Sequence, residues 1–227
     1  MAQSSLPQPA WREQARQVMF QATVKEAQKR YGTVEPPFNY RWEHVLAVHT
    51  LALKLARLTG ADQEIVEAAA WLHDIRKSAG ARHPQKGAAF ARKFLPQTDF
   101  PPHKIDLVAR AIKDHMGLWR KKPLKTLESQ VLWDADKLTK LGLTAAFHWL
   151  GMTLTKGEPA ALPDHIANLR KAPWQEKTVA SMHTTAAKRA AQHRLQAFND
   201  LWDRLEGELI GSDLQTNHLQ PEEPDSN

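Results

Sequence analysis

The chain contains no cysteine. Disulfides are therefore excluded, and so is any metal site built on thiolates. A metal would have to be held by nitrogen and oxygen, which suits manganese, iron, nickel, cobalt or magnesium, or zinc in a sulfur-free site. Long hydrophobic runs are also missing. No apolar stretch approaches the roughly 20 residues that span a bilayer, and the polar opening, Met1 to Pro9, lacks the apolar segment of a secretory signal. The expectation is a cytoplasmic protein with no membrane partner. Strand-like alternation, internal repeats and nucleic-acid-binding motifs are all lacking, so no specific nucleic-acid partner is expected. The fold class that remains is all-α.

What is present is a chain of 227 residues with 31 Lys and Arg against 25 Asp and Glu, a net charge of +6, and eleven histidines. That length can bury a full core as one domain with an appended helical part. The positive balance favours anionic partners, and a nucleotide, a nucleic acid or a merely solvated basic surface would each fit it. Lys121, Lys122 and Lys125 read as solvated.

Helical periodicity organises most of the chain. A first helix is expected over about 11–31, with Val18, Ala22 and Val24 inward and Gly32 as its stop. A second, over about 40–59, carries His44, Val48, Leu51, Leu55 and Leu58 on one face, leaves His49 exposed, and ends on Gly60 in a left-handed cap. Asp62 is the expected N-cap of a third helix reaching about residue 77, with Val66, Ala69 and His73 sharing a face. His83 precedes Pro84, which predicts extended backbone there. A short helix follows, with Ala88, Ala91, Phe94 and Leu95 inward. The next, over about 103–117, aligns Ile105, Val108, Ile112 and His115. A helix over about 127–143 places Leu132, Asp136 and Leu143 on one face and turns Asp134 elsewhere. Loops and one short helix are expected over 151–173. One long helix is expected over about 174–210, with Leu195, Phe198, Trp202, Leu205 and Leu209 at coiled-coil-like spacing.

Polar groups thus stand where a core should be. The run from Ala69 to Lys77 ends a buried stretch in His73 and Asp74 and follows it with two cations. Burying a carboxylate without a partner costs several kcal/mol or shifts its pKa until it is neutral. His44, His73, Asp74 and Asp136 come from three helices and form a set of two imidazoles and two carboxylates. Such a set leaves coordination positions open on an octahedral ion. Open positions allow a water to be acidified and a phosphoryl oxygen to be polarised.

In this order, a helix with a His, a His-Asp doublet and a distant Asp, the sequence resembles the HD-domain superfamily of metal-dependent phosphohydrolases. The likeness extends over about residues 38–145. It covers Trp42-Glu43-His44-Val45, Ala70-Trp71-Leu72-His73-Asp74-Ile75, His83 with Gly87-Ala88, and Ala111-Ile112-Lys113-Asp114-His115. The last motif is Asp134-Ala135-Asp136-Lys137-Leu138 with Leu141-Gly142. Met182-His183-Thr184 and the helix after it resemble the C-terminal end of the bacterial pyrophosphohydrolase-like branch. Arg76 stands where the His-Asp-Ile-Gly-Lys form has glycine, and Gly-Tyr-Pro is absent, which separates the chain from the cyclic-dinucleotide branch.

The resemblance implies that His44, His73, Asp74 and Asp136 bind one divalent ion. His83 and His115 match positions that bind a second ion or contact substrate in some branches; His115 equally fits a satisfied core histidine. Asp74 would bridge the two ions and orient or deprotonate the attacking water. Lys77 would hold a phosphate, or else be a cation favoured at a helix C-terminus. Arg41 and Lys137 are further phosphate-binding candidates. His103, His148, His165, His183, His193 and His218 read as surface or structural, and Trp71 and Trp133 as core.

The expected organisation is an N-terminal tail and helix over 1–37, the HD metal-binding domain over 38–145, a C-terminal helical extension packed on it over 146–210, and a disordered tail over 211–227. The function implied is hydrolysis of a phosphoester or phosphoanhydride, of a nucleotide above other phosphate-containing small molecules. The alternative is a metal-containing module that binds a nucleotide or second messenger without turnover. Monomer and homodimer are both compatible with the sequence.

Overall fold

A computed structural model describes residues 10–154, 161–170 and 174–214 of the chain. Ten α-helices are found among the described residues, without any strand. They are α1 (Trp11–Tyr31), α2 (Tyr40–Thr59), α3 (Gln63–Leu72), α4 (His83–Phe94), α5 (Ile105–Asp114), α6 (Leu127–Leu138), α7 (Gly142–Leu154), α8 (Leu162–Arg170), α9 (Trp174–Ala180) and α10 (Thr185–Ile210). No helix among them is long and apolar enough to cross a membrane. Of the tail expected over 211–227, Gly211 caps α10 and Ser212–Leu214 form a 3-10 turn; residues 1–9 and 215–227 lie outside the described residues.

Caps set most of the boundaries. The Asn39 side chain accepts from Trp42 N at the start of α2, and the Asp62 carboxylate accepts from Glu64 N and Ile65 N at the start of α3. Such caps contribute about 1 kcal/mol each. Gly32 and Gly60 close α1 and α2 in the left-handed conformation.

The core is built on α2, α3, α5 and α6. Helix α2 packs on α3 and α6, and α5 packs on α3, α4 and α6. Small residues allow the closeness: Ala68, Ala69 and Ala70 of α3, Ala109 and Ala111 of α5 and Ala135 of α6 are all fully buried. Helix α1 lies across α2 and α3 through Trp11, Ala15, Met19, Thr23 and Ala27, which recur every fourth residue. Fully burying a side chain such as Met19 stabilises by about 1.5–3 kcal/mol. The valine-centred face expected for α1 is therefore offset, since Val18 and Ala22 are only partly buried.

Several expected boundaries differ. Helix α2 buries His44, Val45, Val48, Ala52, Leu55 and Ala56, whereas Leu58 is 72% exposed and Leu51 partly buried. At about 100° per residue the buried face is rotated from the leucine line, which lies along its edge. His49 is not free in solvent: it lies against Trp71 and contacts Glu67. Helix α3 stops at Leu72, not near 77, because the chain tightens into turns with Ile75 N bonded to Leu72 O and Lys77 N to Asp74 O. His83 is helical (φ −60°, ψ −35°) and opens α4. Pro84 sits in the first turn, where a missing N–H costs no helical bond.

The helix expected over 127–143 is two. Helix α6 ends at Leu138, and Gly142 at φ +79° turns the chain into α7, which leaves Leu143 exposed. Any side chain at 142 would also meet Arg194, whose Cβ lies 2.9 Å from a built Cβ. Asp134 does point elsewhere than Asp136, toward the start of α10. It is fully buried and accepts hydrogen bonds from His183 N, Thr184 N and His183 Nδ1 at 2.8–3.0 Å. That latch divides the expected last helix into α9 and α10, with Thr184 capping α10 through Ala187 N. Phe198 and Trp202 of α10 are buried, whereas Leu209 is exposed.

Candidate metal centre

Helix ends explain how buried histidines come to face one another here. The last four carbonyls of a helix lack intrahelical partners. His73 follows the last residue of α3, and its Nδ1 lies 2.8 Å from Ala70 O. His115 follows the last residue of α5, with Nδ1 2.5 Å from Ile112 O. His83 repeats the geometry at the start of α4, with Nδ1 2.7 Å from Gly80 O. Gly80 adopts φ +59°, ψ −131°, a backbone that only glycine enters without strain.

A carbonyl only accepts, so Nδ1 of each ring carries the proton and Nε2 keeps its lone pair. His44 reaches the same state by another route. Its Nδ1 lies 3.0 Å from Thr139 Oγ1, and that hydroxyl donates to Asp136 O at 2.7 Å. The hydroxyl hydrogen is thus committed, and Thr139 accepts from His44 Nδ1–H.

The four bare Nε2 atoms converge in pairs, His44 with His73 at 3.3 Å and His83 with His115 at 3.1 Å. Two lone pairs at that separation, with no proton between them, call for a shared cation. Burial favours the neutral form of three of these rings: it pushes His44 down to about 4 and His73 to about 3, and it lowers His115.

Two buried groups able to hold a metal occur among the described residues: His44, His73 and Asp136, and Asp74, His83 and His115. Asp74 joins them. Its Oδ2 is 3.7 Å from both His44 Nε2 and His73 Nε2, and its Oδ1 is 3.3 Å from His83 Nε2 and 3.5 Å from His115 Nε2. Asp136 Oδ1 lies 3.3 Å from His44 Nε2. Neighbouring donors on an octahedral ion with bonds of about 2.1 Å stand about 3 Å apart. The donor set and its tautomers therefore fit a divalent ion in each half.

Basic groups surround the carboxylates. Arg41 Nη1 donates to Asp74 Oδ2 at 2.6 Å, and the same guanidinium contacts Glu26. Burial alone would raise Asp74; the facing His73 and Arg41 outweigh it and hold the carboxyl well below its usual range. His73 is neutral near pH 7, so Arg41 is the partner that acts there. Lys77 Nζ lies 3.2 Å from Asp74 Oδ1 and 3.3 Å from His83 Nε2, and it remains partly open to solvent. Lys137 is buried, donates to His115 O and contacts Asp136; burial pushes its ammonium down to about 8. Lys140 contacts the other Asp136 oxygen.

Sequence reasoning missed Lys140 and Thr139. Lys140 follows Asp136 by one helical turn, a spacing that could have flagged it. Thr139 gave no signal, because its role depends on His44, 95 positions away. Trp71 and Trp133 are core residues, as expected. The aromatic groups that line one cleft are Tyr40, His148, Trp149, Trp174 and Phe198. With Lys140 and Gln175 they border this cleft of about 330 Å³. Tyr40 stacks on His44 at 6.0 Å, which places this cleft beside the Asp136 half of the centre. His183 is structural through Asp134, and it also accepts from Leu124 N.

Residues 41–141 match the family model described as HD domain. No curated protein matches the chain. Solved structures share its fold. A predicted HD superfamily hydrolase from an uncultured Thermotogales bacterium is 21% identical with a TM-score of 0.59, over 87% of this chain and 92% of that one. Bacillus subtilis YpgQ in complex with ADP is 20% identical with a TM-score of 0.60, over 86% and 97%. An HD-superfamily hydrolase from Bacillus thuringiensis is 19% identical with a TM-score of 0.63, over 87% and 97%.

Proposed function

We propose that this chain, an HD-domain protein over residues 41–141, is a metal-dependent phosphohydrolase that cleaves a phosphoester or phosphoanhydride of a nucleotide. The observation that carries the reading is the convergence of four unprotonated Nε2 atoms on the two oxygens of Asp74. A divalent ion held there supplies Lewis-acid polarisation of a phosphoryl oxygen and lowers the pKa of a water. His44, His73, Asp74 and Asp136 would hold one ion, and His83 and His115 a second, with Asp74 common to both.

The remaining chemistry belongs to the side chains. Asp74 stays a carboxylate, so it accepts a hydrogen bond from the attacking water and aims its lone pair at phosphorus. Arg41 fixes that carboxylate in place. Lys77, anchored on Asp74 Oδ1 and partly open, stands where it neutralises charge developing on the phosphoryl oxygens. Lys137 and Lys140 balance Asp136. The cleft of Tyr40, His148, Trp149 and Trp174 gives a planar base apolar walls, and Lys140, which lines it and contacts Asp136, would meet the phosphate. That YpgQ is found with ADP agrees with a nucleotide ligand.

The test is a panel of nucleoside mono-, di- and triphosphates, assayed with Mn2+, Co2+, Ni2+ or Mg2+ after metal analysis of the purified protein. Metal-dependent release of phosphate or pyrophosphate is expected, and it should be abolished by chelation and by Asp74→Ala. A metal-loaded protein that turns over none of these compounds would refute the reading, and tight nucleotide binding without turnover would point to a sensor.

A further inference from the structure

A second opening lies away from the metal centre. It is a cavity of about 230 Å³ whose lining includes Arg120, Lys121, Lys122, Gln130, Ser181 and His183. It shares no residue with the donor groups or with the aromatic cleft. No acidic residue lines it. The Asp134 carboxylate, behind His183, is already taken by the donors of residues 183 and 184.

Lys121 and Lys122, expected from the sequence as merely solvated cations, are exposed, and neither has an ion-pair partner among the described residues. The segment that carries them is nonetheless held on both sides. Before them, Thr178 Oγ1 donates to Leu118 O at 2.6 Å and Arg120 N to Ser181 Oγ at 2.9 Å. After them, Leu124 N donates to His183 Nε2 at 3.0 Å. A basic run that needs only water has no use for such anchors, whereas cations on a fixed backbone bind an anion at a lower ordering cost.

Arg120 supplies an independent observation. Its Nη1 donates to Asp114 O and Met116 O, at 3.1 and 3.4 Å, but its Nε is shut off from solvent and has no acceptor. A buried donor on a charged group calls for a partner, and an oxyanion in the cavity that Arg120 lines would provide one. The planar guanidinium pairs with two oxygens of such an anion, and the two lysines add point charge.

We infer that Arg120, Lys121 and Lys122, with Gln130 beside them, form a binding site for a free oxyanion of the phosphate or pyrophosphate class, separate from the metal centre. The cavity is smaller than the about 300–1,000 Å³ usual for larger organic ligands, and no Trp, Tyr or Phe lines it. It therefore suits the anion without a base attached. The inference goes beyond the phosphohydrolase reading and does not depend on it.

The test titrates inorganic pyrophosphate into the full-length, 15N-labelled protein with chelator present and ionic strength held constant, and follows the backbone amide signals. Saturable shifts are expected at residues 120–122 and 181–183. Lys121→Gln with Lys122→Gln should weaken that binding by about fivefold or more. Arg120→Lys, which keeps the charge and loses the planar fork, should weaken it as well. Lys54→Gln with Arg57→Gln removes the same charge from an exposed face of α2 and should leave it unchanged.

Shifts that never saturate and spread over the basic surface would overturn the site, and so would a saturable response confined to the residues around Asp74 and Asp136. Equal weakening by the two paired variants would assign the effect to overall charge and overturn it too. A nucleoside diphosphate that binds at these amides more tightly than pyrophosphate would overturn the assignment to a free oxyanion. Because the readout involves no turnover, failure to hydrolyse any nucleotide would refute the enzyme and leave this site standing.

Discussion

The tautomer of each histidine is fixed by a single acceptor. Three are backbone carbonyls that no substitution removes, but the acceptor for His44 is a side chain. Thr139→Val keeps the shape and removes that acceptor, so metal affinity should fall by about 10–100-fold with helix content unchanged, as read by metal titration and circular dichroism. The imidazoles also set a pH dependence for the metal-free protein. Below 6.5 the unfolded chain protonates them, whereas folded His44 and His73 resist until about 4 and about 3. The unfolded state binds more protons across that window, so stability falls as pH drops through it. Each ring wholly inside the window contributes a slope of about 1.4 kcal/mol per pH unit. Asp74 and Asp136 act in the same direction only below their ordinary value of 3.8. Denaturant melts of chelated protein at pH 7, 6 and 5 would show this; a flat profile would mean the rings are not neutral and buried. At this scale the sequence was informative where a polar residue interrupted an apolar stripe, as at His44, His115 and Asp136. It was silent where the partner was remote. Asp134 and Asp136 look alike in the chain, yet one pins the backbone of residues 183 and 184 and the other faces the imidazoles.

Elements were legible by periodicity and obscured where periodicity continued across a break. The stretch after Asp136 remains leucine-rich through residue 143, so only the backbone at Gly142 reveals that α6 has ended. The split between α9 and α10 depends on Asp134, a residue of a different helix, and no local pattern announces it. His83 was expected in extended backbone because of Pro84, but a proline in a first helical turn costs nothing there, and the glycine three residues earlier supplies the carbonyl that orients the ring. Gly80→Ala therefore tests an element through one atom. The left-handed backbone should strain by about 1 kcal/mol or more, turn Gly80 O away from His83 Nδ1, and weaken the His83–His115 half more than the His44–His73 half. Metal counting on the purified variant reads this directly, since the stoichiometry should fall from two ions toward one.

At the scale of the whole molecule, the candidate donors come from every part of the central bundle. His44 lies on α2, His73 and Asp74 at the end of α3, His83 at the start of α4, His115 at the end of α5 and Asp136 on α6. An ion that binds only the folded state stabilises it by mass action, by about 2.7 kcal/mol at a hundredfold excess over Kd. Adding Mn2+ to the chelated protein should accordingly raise the melting temperature in a concentration-dependent way, and an unchanged melting temperature would place the ion elsewhere. Because Asp74 lies within 3.7 Å of imidazoles from both donor groups, an ion held there would rivet the five helices at one point and not along their lengths. Chelation should then leave the outline of the molecule intact while releasing hydrogen-exchange protection at those helix ends together, as one cooperative unit. The ion would serve as a clasp for parts of the chain that are nearly a hundred residues apart.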